Sequence, residues 1–358
     1  MDLWKRVMLA AYDERVATQR KPLFLSSLFG KNPGERVVSA IERVDVDVIR
    51  DGRRKASDVI RGGGVGHTNL TGIFTAHEYK PPLYWEETPL TATMLNKRIA
   101  GEENFAEGSA MARLAYHAST AQREQVMLIE REIERMAAEV LQLGTITLIN
   151  NESLDFGKKA AHSVTPGVKW DVGGALPLVD IGTLCDVVFQ DGKMKPDTLI
   201  FGTSAWAAFV ANAQVAAYLN TNLLQPGKID PAEALGGATL QGRLWVGDYQ
   251  LDLYTYNEFY MTDAVPAVAT PYVTTDSVIV FNRTARLVKA FAACEVLFTA
   301  EQKYRDLGMP AVPQLTQGEI IPFAYEKPPT ALMVGVQSAP LLVPVAIDTI
   351  ATFINVDT

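Results

Sequence analysis

Apolar side chains recur along residues 119–144 at Val126, Ile129, Ile133, Met136, Val140 and Leu143, at alternating spacings of three and four. That period lines one face of an α-helix. Ser119, with Gln122 three residues on, makes a capping box at the start, and Gly144 supplies the left-handed stop. Such a helix spans about 36 Å at about 1.5 Å per residue. Much of its remaining surface is charged: Arg123, Glu124, Glu130, Arg131, Glu132, Glu134, Arg135 and Glu139. Gly144 ends the pattern too soon for a coiled coil. The stretch reads as a spine laid across a sheet, with its polar side left for neighbours or solvent.

Before the spine, Trp4, Met8, Tyr12 and Val16 form a row at spacing four, which predicts a short amphipathic helix over 2–20, interrupted by Pro22. Residues 23–30, LFLSSLFG, form an apolar plug that has to dock, on its own core or on another subunit. VDVDVIR, 44–50, alternates as a half-buried strand, and Asp51-Gly52 marks a turn. A second β-prone run follows the glycine-rich GGGVG at 62–66, which predicts a long hairpin. The hairpin is polar on both faces and marginal by itself, so it must lie on something else.

After the spine, TITLIN and KKAAHSVT frame another hairpin around NNESLDFG. Pro177 suits a helix first turn, and Leu178, Ile181, Leu184, Cys185 and Val188 continue at helical spacing to Asp191-Gly192. TLIF at 198–201 reads as a strand, followed by a cap at Thr203 or Ser204 and an apolar-faced helix through Leu219. Residues 220–242 read as loop; from Leu244 to Phe298 strands dominate, and a proline-bounded strand and an apolar tail close the chain. The fold class is α+β in two lobes, the second inserted after the hairpin at 145–165, with a return to the first near residue 290.

Composition adds mainly exclusions. At 358 residues and 48% hydrophobic, the chain can bury a sizeable core. A net charge of −8 without a basic tail argues against gripping nucleic acid through its phosphates. Cys185 and Cys294 make no disulfide framework. VMLAAY is too short for a secretory signal and is followed at once by Asp13, Glu14 and Arg15, and no apolar run reaches the length of a membrane helix. No Gly-Lys-Ser/Thr follows the glycines at 62–66, so they read as a hairpin tip rather than a phosphate loop. His67, His77, His117 and His162 are scattered, without metal-ligand spacing, and Glu86-Glu87 and Glu102-Glu103 read as solvated faces. No catalytic, cofactor or metal residue emerges. What is abundant is an arm, an unsupported hairpin and a charged helix face, a combination that suggests an assembly protein whose extensions overlap its neighbours.

Two terminal segments point to a family. PLFLSSLFG, 22–30, and QSAPLLVPVAIDTIATFINV, from Gln337, resemble segments near the two ends of the lambda-type phage major head protein, the capsid protein E family. Between them DVIRGGG at 58–64, the spine running into LGTIT, and KWDVGG at 169–174 fall in the same order as similar segments of that family. The resemblance implies the Hong Kong 97-like capsid fold: an N-terminal arm over 1–50, an extended hairpin loop over 51–90, a peripheral domain over 91–174 and 291–358 with the spine helix at 120–143, and an axial domain over 175–290.

It also implies a function without enzymatic activity or cofactor. Such a protein assembles as pentamers and hexamers into the icosahedral head of a tailed phage, in the host cytoplasm, and ends in the virion. It encloses double-stranded DNA without specific binding. A separate scaffolding protein, a portal and a decoration protein are the expected partners, and no membrane is involved. Arg53, Arg54, Lys55 and Arg61 near the hairpin glycines Gly62, Gly63 and Gly64 are expected to meet acidic neighbours such as Glu130, Glu132 or Glu134, with Phe24 and Phe29 of the arm as further contact candidates. Two other classes stand beside this one: an encapsulin-like cellular shell sharing the fold, and a soluble α+β enzyme, for which the sequence offers no converging polar groups.

Overall fold

In a computed structural model the chain is described at residues 23–50, 73–96, 110–148, 153–219, 227–233, 235–262, 266–298, 312–327 and 331–357. The spine is a single helix, Ala110–Leu143, about 50 Å long at about 1.5 Å per residue. Val126, Ile129, Ile133, Met136 and Val140 of the expected stripe are buried, whereas Leu143 is 57% exposed. By the last turn the stripe has rotated out of the core. The helix begins nine residues before Ser119, so the capping box does not form. Ser119 Oγ instead donates to the Tyr116 carbonyl within the helix at 3.0 Å, and Gln122 is buried. The stop is as expected: Gly144 has φ +74° and its N–H donates to the Val140 carbonyl at 3.0 Å. A side chain there would also meet Lys158, with Cβ to Cβ at 2.6 Å.

The helix lies on a three-stranded antiparallel sheet ordered Ile321–Lys327, Ala331–Ser338, Tyr84–Thr91. Gln125 Nε2 ties the two together, donating to Thr88 Oγ1 at 2.8 Å and to the Val334 carbonyl at 3.0 Å. Leu90, Ala118 and Val334 close the apolar contact between them.

A seven-stranded mixed sheet forms the second body of the fold, ordered Ser163–Val164, Ile350–Phe353, Val278–Phe281, Thr198–Phe201, Tyr249–Tyr256, Ala238–Val246, Gly227–Glu233. Helix Pro177–Gly192 packs on it through Ile181, Leu184, Cys185 and Val188. Trp170 is fully buried between Phe209 and Phe353, with ring centroids 6.0 and 5.4 Å away. Two expectations change here. Residues 220–242 are not all loop, because 227–233 and 238–246 pair as the outer strands of this sheet. Polar Lys228 and Arg243 hide that pairing from a hydrophobicity reading. The helix expected through Leu219 is broken into Thr203–Ala211 and Ala213–Leu219. Asn212 makes the break: its Nδ2 donates to the Trp170 and Ala175 carbonyls, while its Oδ1 accepts from Gln214 N–H and starts the next helix.

Strand Val44–Arg50 forms as expected and pairs antiparallel with Ile73–Tyr79, from Val44↔Tyr79 to Arg50↔Ile73. Among the described residues this ribbon pairs with no other strand. The tip, 51–72, lies outside the described residues. The small hairpin after the spine pairs Thr145–Thr147 with Ser153–Asp155, so its second limb is SLD rather than the later KKAAHSVT segment.

Candidate functional site

The expected contact residues divide sharply. Phe24 and Phe29 lie inside their own subunit: the 23–30 plug is buried, and Phe24 sits 5.2 Å from the Tyr254 ring and 5.8 Å from the Tyr256 ring. Glu134, on the spine, is fully buried beneath the plug. Its Oε1 accepts from Leu25 N–H at 2.8 Å and from Tyr256 O–H at 2.7 Å, and its Oε2 accepts from Ser26 N–H at 2.7 Å. Burial pushes the Glu134 carboxyl up, opposed by the donated bonds from Tyr256, Ser26 and Leu25. The reading of Glu134, Phe24 and Phe29 as surfaces for a neighbour is therefore corrected. The carboxylate accepts the Leu25 and Ser26 N–H groups at the start of the turn at 26–28, and so clamps the arm onto its own spine.

Glu130 and Glu132 are part-exposed on the spine. Glu132 already accepts from Tyr84 O–H at 3.0 Å and from Arg135 Nε at 2.8 Å. Arg135 also pairs with Glu139. Burial and the adjacent Glu132 push the Tyr84 hydroxyl up. Arg53, Arg54, Lys55, Arg61, Gly62, Gly63 and Gly64 lie outside the described residues.

Several polar groups that the sequence did not single out organise the interior. Gln142 Oε1 accepts from Thr274 N–H at 3.0 Å and Thr274 O–H at 2.8 Å, and its Nε2 donates to the Tyr272 carbonyl at 2.9 Å, which ties the end of the spine to the turn before Val278–Phe281. Lys158 Nζ donates to the Gln142 carbonyl at 2.7 Å and to Thr352 Oγ1 at 2.8 Å. Burial pushes its amine down to about 7. His162 is fully buried, with Nδ1 3.0 Å from the Ile350 carbonyl and Nε2 2.9 Å from Asp191 Oδ2. These groups bridge distant segments rather than converge on an open cleft. No sequence period announces them, because each acts on a residue more than a dozen positions away.

The face of the three-stranded sheet turned away from the spine carries Trp85, half exposed, Glu87, and Phe323 and Tyr325 in one cluster. The sequence offered Glu86-Glu87 only as a solvated face; the rings that gather around Glu87 come partly from a strand more than 200 residues away.

Burial pushes the thiols of Cys185 and Cys294 up to about 12 and about 11, which leaves them inert at neutral pH. Among the described residues no group of three or more His, Cys, Asp or Glu could hold a metal, and no helix is long and apolar enough to cross a membrane.

The family model described as "Phage major capsid protein E" matches residues 7–355 of the chain. No curated protein matches it. Among solved structures, it is similar to a candidate capsid protein of an E. coli CFT073 prophage, with TM-score 0.65 and 15% identity over 98% of this chain and 97% of that one. That likeness establishes a common fold. The capsid protein of cyanophage P-SCSP1u gives TM-score 0.44 and 10% identity over 94% of this chain and 88% of that one. The SrpI encapsulin of Synechococcus elongatus PCC 7942 gives TM-score 0.43 and 11% identity over 98% and 95%.

Proposed function

From the premise that this chain belongs to the phage major capsid protein E family and carries the Hong Kong 97-like capsid fold, we propose that it assembles as pentamers and hexamers into the icosahedral head of a tailed double-stranded DNA phage. It is a structural protein of the virion and not an enzyme. The observation that carries the proposal is the family match over residues 7–355. The anatomy supports it. The ribbon 44–50/73–79 pairs with no other strand among the described residues, while the arm behind it is clamped by Glu134. A ribbon held rigidly at its base and unsupported beyond it is suited to a heterologous contact, in which one subunit's extension meets a different patch on the next and the ring closes.

In this reading residues 1–50 are the arm, 51–90 the extended loop, 91–174 and 291–358 the peripheral domain and 175–290 the axial domain. The closing strand Ile350–Phe353 crosses back into the large sheet beside Val278–Phe281. Shells grow in the host cytoplasm on a separate scaffolding protein, connect to a portal and accept a decoration protein. Individual contacts stay weak, and their number holds the shell. The net charge of −8 keeps the wall from binding packaged DNA. Arg53, Arg54, Lys55 and Arg61 supply the cationic side of the contact between copies.

Electron microscopy and sedimentation of the expressed full chain, alone and with its phage's scaffolding protein, provide the test. Ring-shaped oligomers and closed shells are the expected result. A chain that remains monomeric at high concentration in both preparations would refute the proposal.

A further inference from the structure

The apolar stripe of the spine continues backwards, at a spacing of four, from Val126 and Ile129 onto Gln122 and Gln125. Both glutamines therefore lie on the buried face of the helix: Gln122 is 0% exposed and Gln125 3%. They interrupt the apolar packing of that face. On one side of them Ala118 meets Leu90 and Val334 in a small cluster. On the other, Val126 and Ile129 join the main core with Val336. The seam between the spine and the three-stranded sheet is thus apolar at both ends and polar in the middle.

In that middle layer not every polar atom is served. Gln125 Nε2 donates to Thr88 Oγ1 at 2.8 Å and to the Val334 carbonyl at 3.0 Å, which uses both of its hydrogens. Gln125 Oε1 has no donor, and Gln122 Nε2 and Oε1 have no partner among the described residues. Leaving a buried amide unpaired is costly, and buried polar groups in folded proteins are paired with protein or with water. Three positions apart on one helix, the two side chains are neighbours. A direct bond from Gln122 Nε2 to Gln125 Oε1 would still leave Gln122 Oε1 without a donor, because Gln125 Nε2 is committed. The layer calls for a small group that both gives and takes hydrogens. The open atoms belong to neutral amides, which favours water over an ion, and their number matches the about two to four polar partners that a buried water makes.

We infer that an internal water is bound between Gln122 and Gln125, inside the seam of the spine with the sheet. It accepts from Gln122 Nε2 and donates to Gln125 Oε1. Gln122 thereby joins the tie that Gln125 makes to Thr88 and Val334. The remaining hydrogen of that water, or of a second beside it, serves Gln122 Oε1. This inference stands on the subunit's own packing and is independent of the shell.

The test uses the full-length chain. A crystal structure or shell reconstruction fine enough to show ordered water should carry a density peak about 2.7–3.2 Å from both the Gln122 amide and Gln125 Oε1. Gln122→Met keeps the length of the side chain and removes its polar atoms, which takes away the water's anchor and strands Gln125 Oε1. The melting midpoint should fall by about 1–3 °C. The same substitution should cost less in a Gln125→Met background than in the wild type, because both side chains hold one water. A fall caused by misfit of the methionine alone would be as large in either background. Absence of the peak, a direct Gln122–Gln125 bond in its place, a midpoint unchanged or raised by Gln122→Met, or equal costs in the two backgrounds would each overturn the water.

Discussion

Glu134 is where the arm and the spine meet. The sequence places it on the charged surface of the helix, and its neighbours Glu132 and Arg135 do lie there, but about half a turn of helix separates the part-exposed Glu132 from a buried clamp. Replacing it with alanine leaves Leu25 N–H, Ser26 N–H and Tyr256 O–H without an acceptor. The expected cost is about 3–5 kcal/mol in chemical denaturation. Proteolysis should also open the chain ahead of residue 30 first. Lys158 gives a pH signature. Its amine sits near 7 in the fold against an ordinary value of 10.5. Between those values the unfolded chain binds the proton and the folded chain does not, so stability rises as pH increases from about 7 to about 10. Below about 7 both states are protonated and the penalty is present in full. Lys158→Met should remove that alkaline rise, worth up to a few kcal/mol, in melting curves taken across the window.

Among the elements, the spine carries most of the packing information. Ile133 is 1% exposed in the main core and Leu143 57% exposed, though both belong to the same sequence stripe. Ile133→Ala should cost about 2–5 kcal/mol and Leu143→Ala less than about 0.5 kcal/mol, measured by denaturant unfolding of the same preparation. The difference is rotational. A helix turns 3.6 residues per turn, and a stripe spaced on average 3.5 drifts around the axis until its end leaves the contact. The helix start was missed for a related reason. Ser119 and Gln122 satisfy a local capping pattern, but Ala118 and Val126 on either side are buried against the sheet, and packing carries the helix back to Ala110 through the would-be cap.

For the whole molecule, the division of labour is between a body that stabilises itself and extensions that do not. Removing residues 53–70 touches none of the described packing, so the variant should keep the melting temperature of the parent within a few degrees. It should nonetheless form no closed shells by electron microscopy. Intact shells from that deletion would take the intersubunit role away from the hairpin.

Period, turn chemistry and end signals were enough to determine the spine from Ser119 to its stop at Gly144, strand Val44–Arg50, helix Pro177–Gly192 and the α+β class, because each depends on residues within a few positions of one another. The two terminal segments carried the family for the same reason: they are contiguous. Strand partners, the pairing of 227–233 with 238–246, the placement of Ile350–Phe353 in the large sheet, and the meeting of Trp85 with Phe323 were decided only in three dimensions. Backbone hydrogen bonding and side-chain contact join segments tens to hundreds of residues apart, and no local pattern records which of several apolar or polar faces will be brought together.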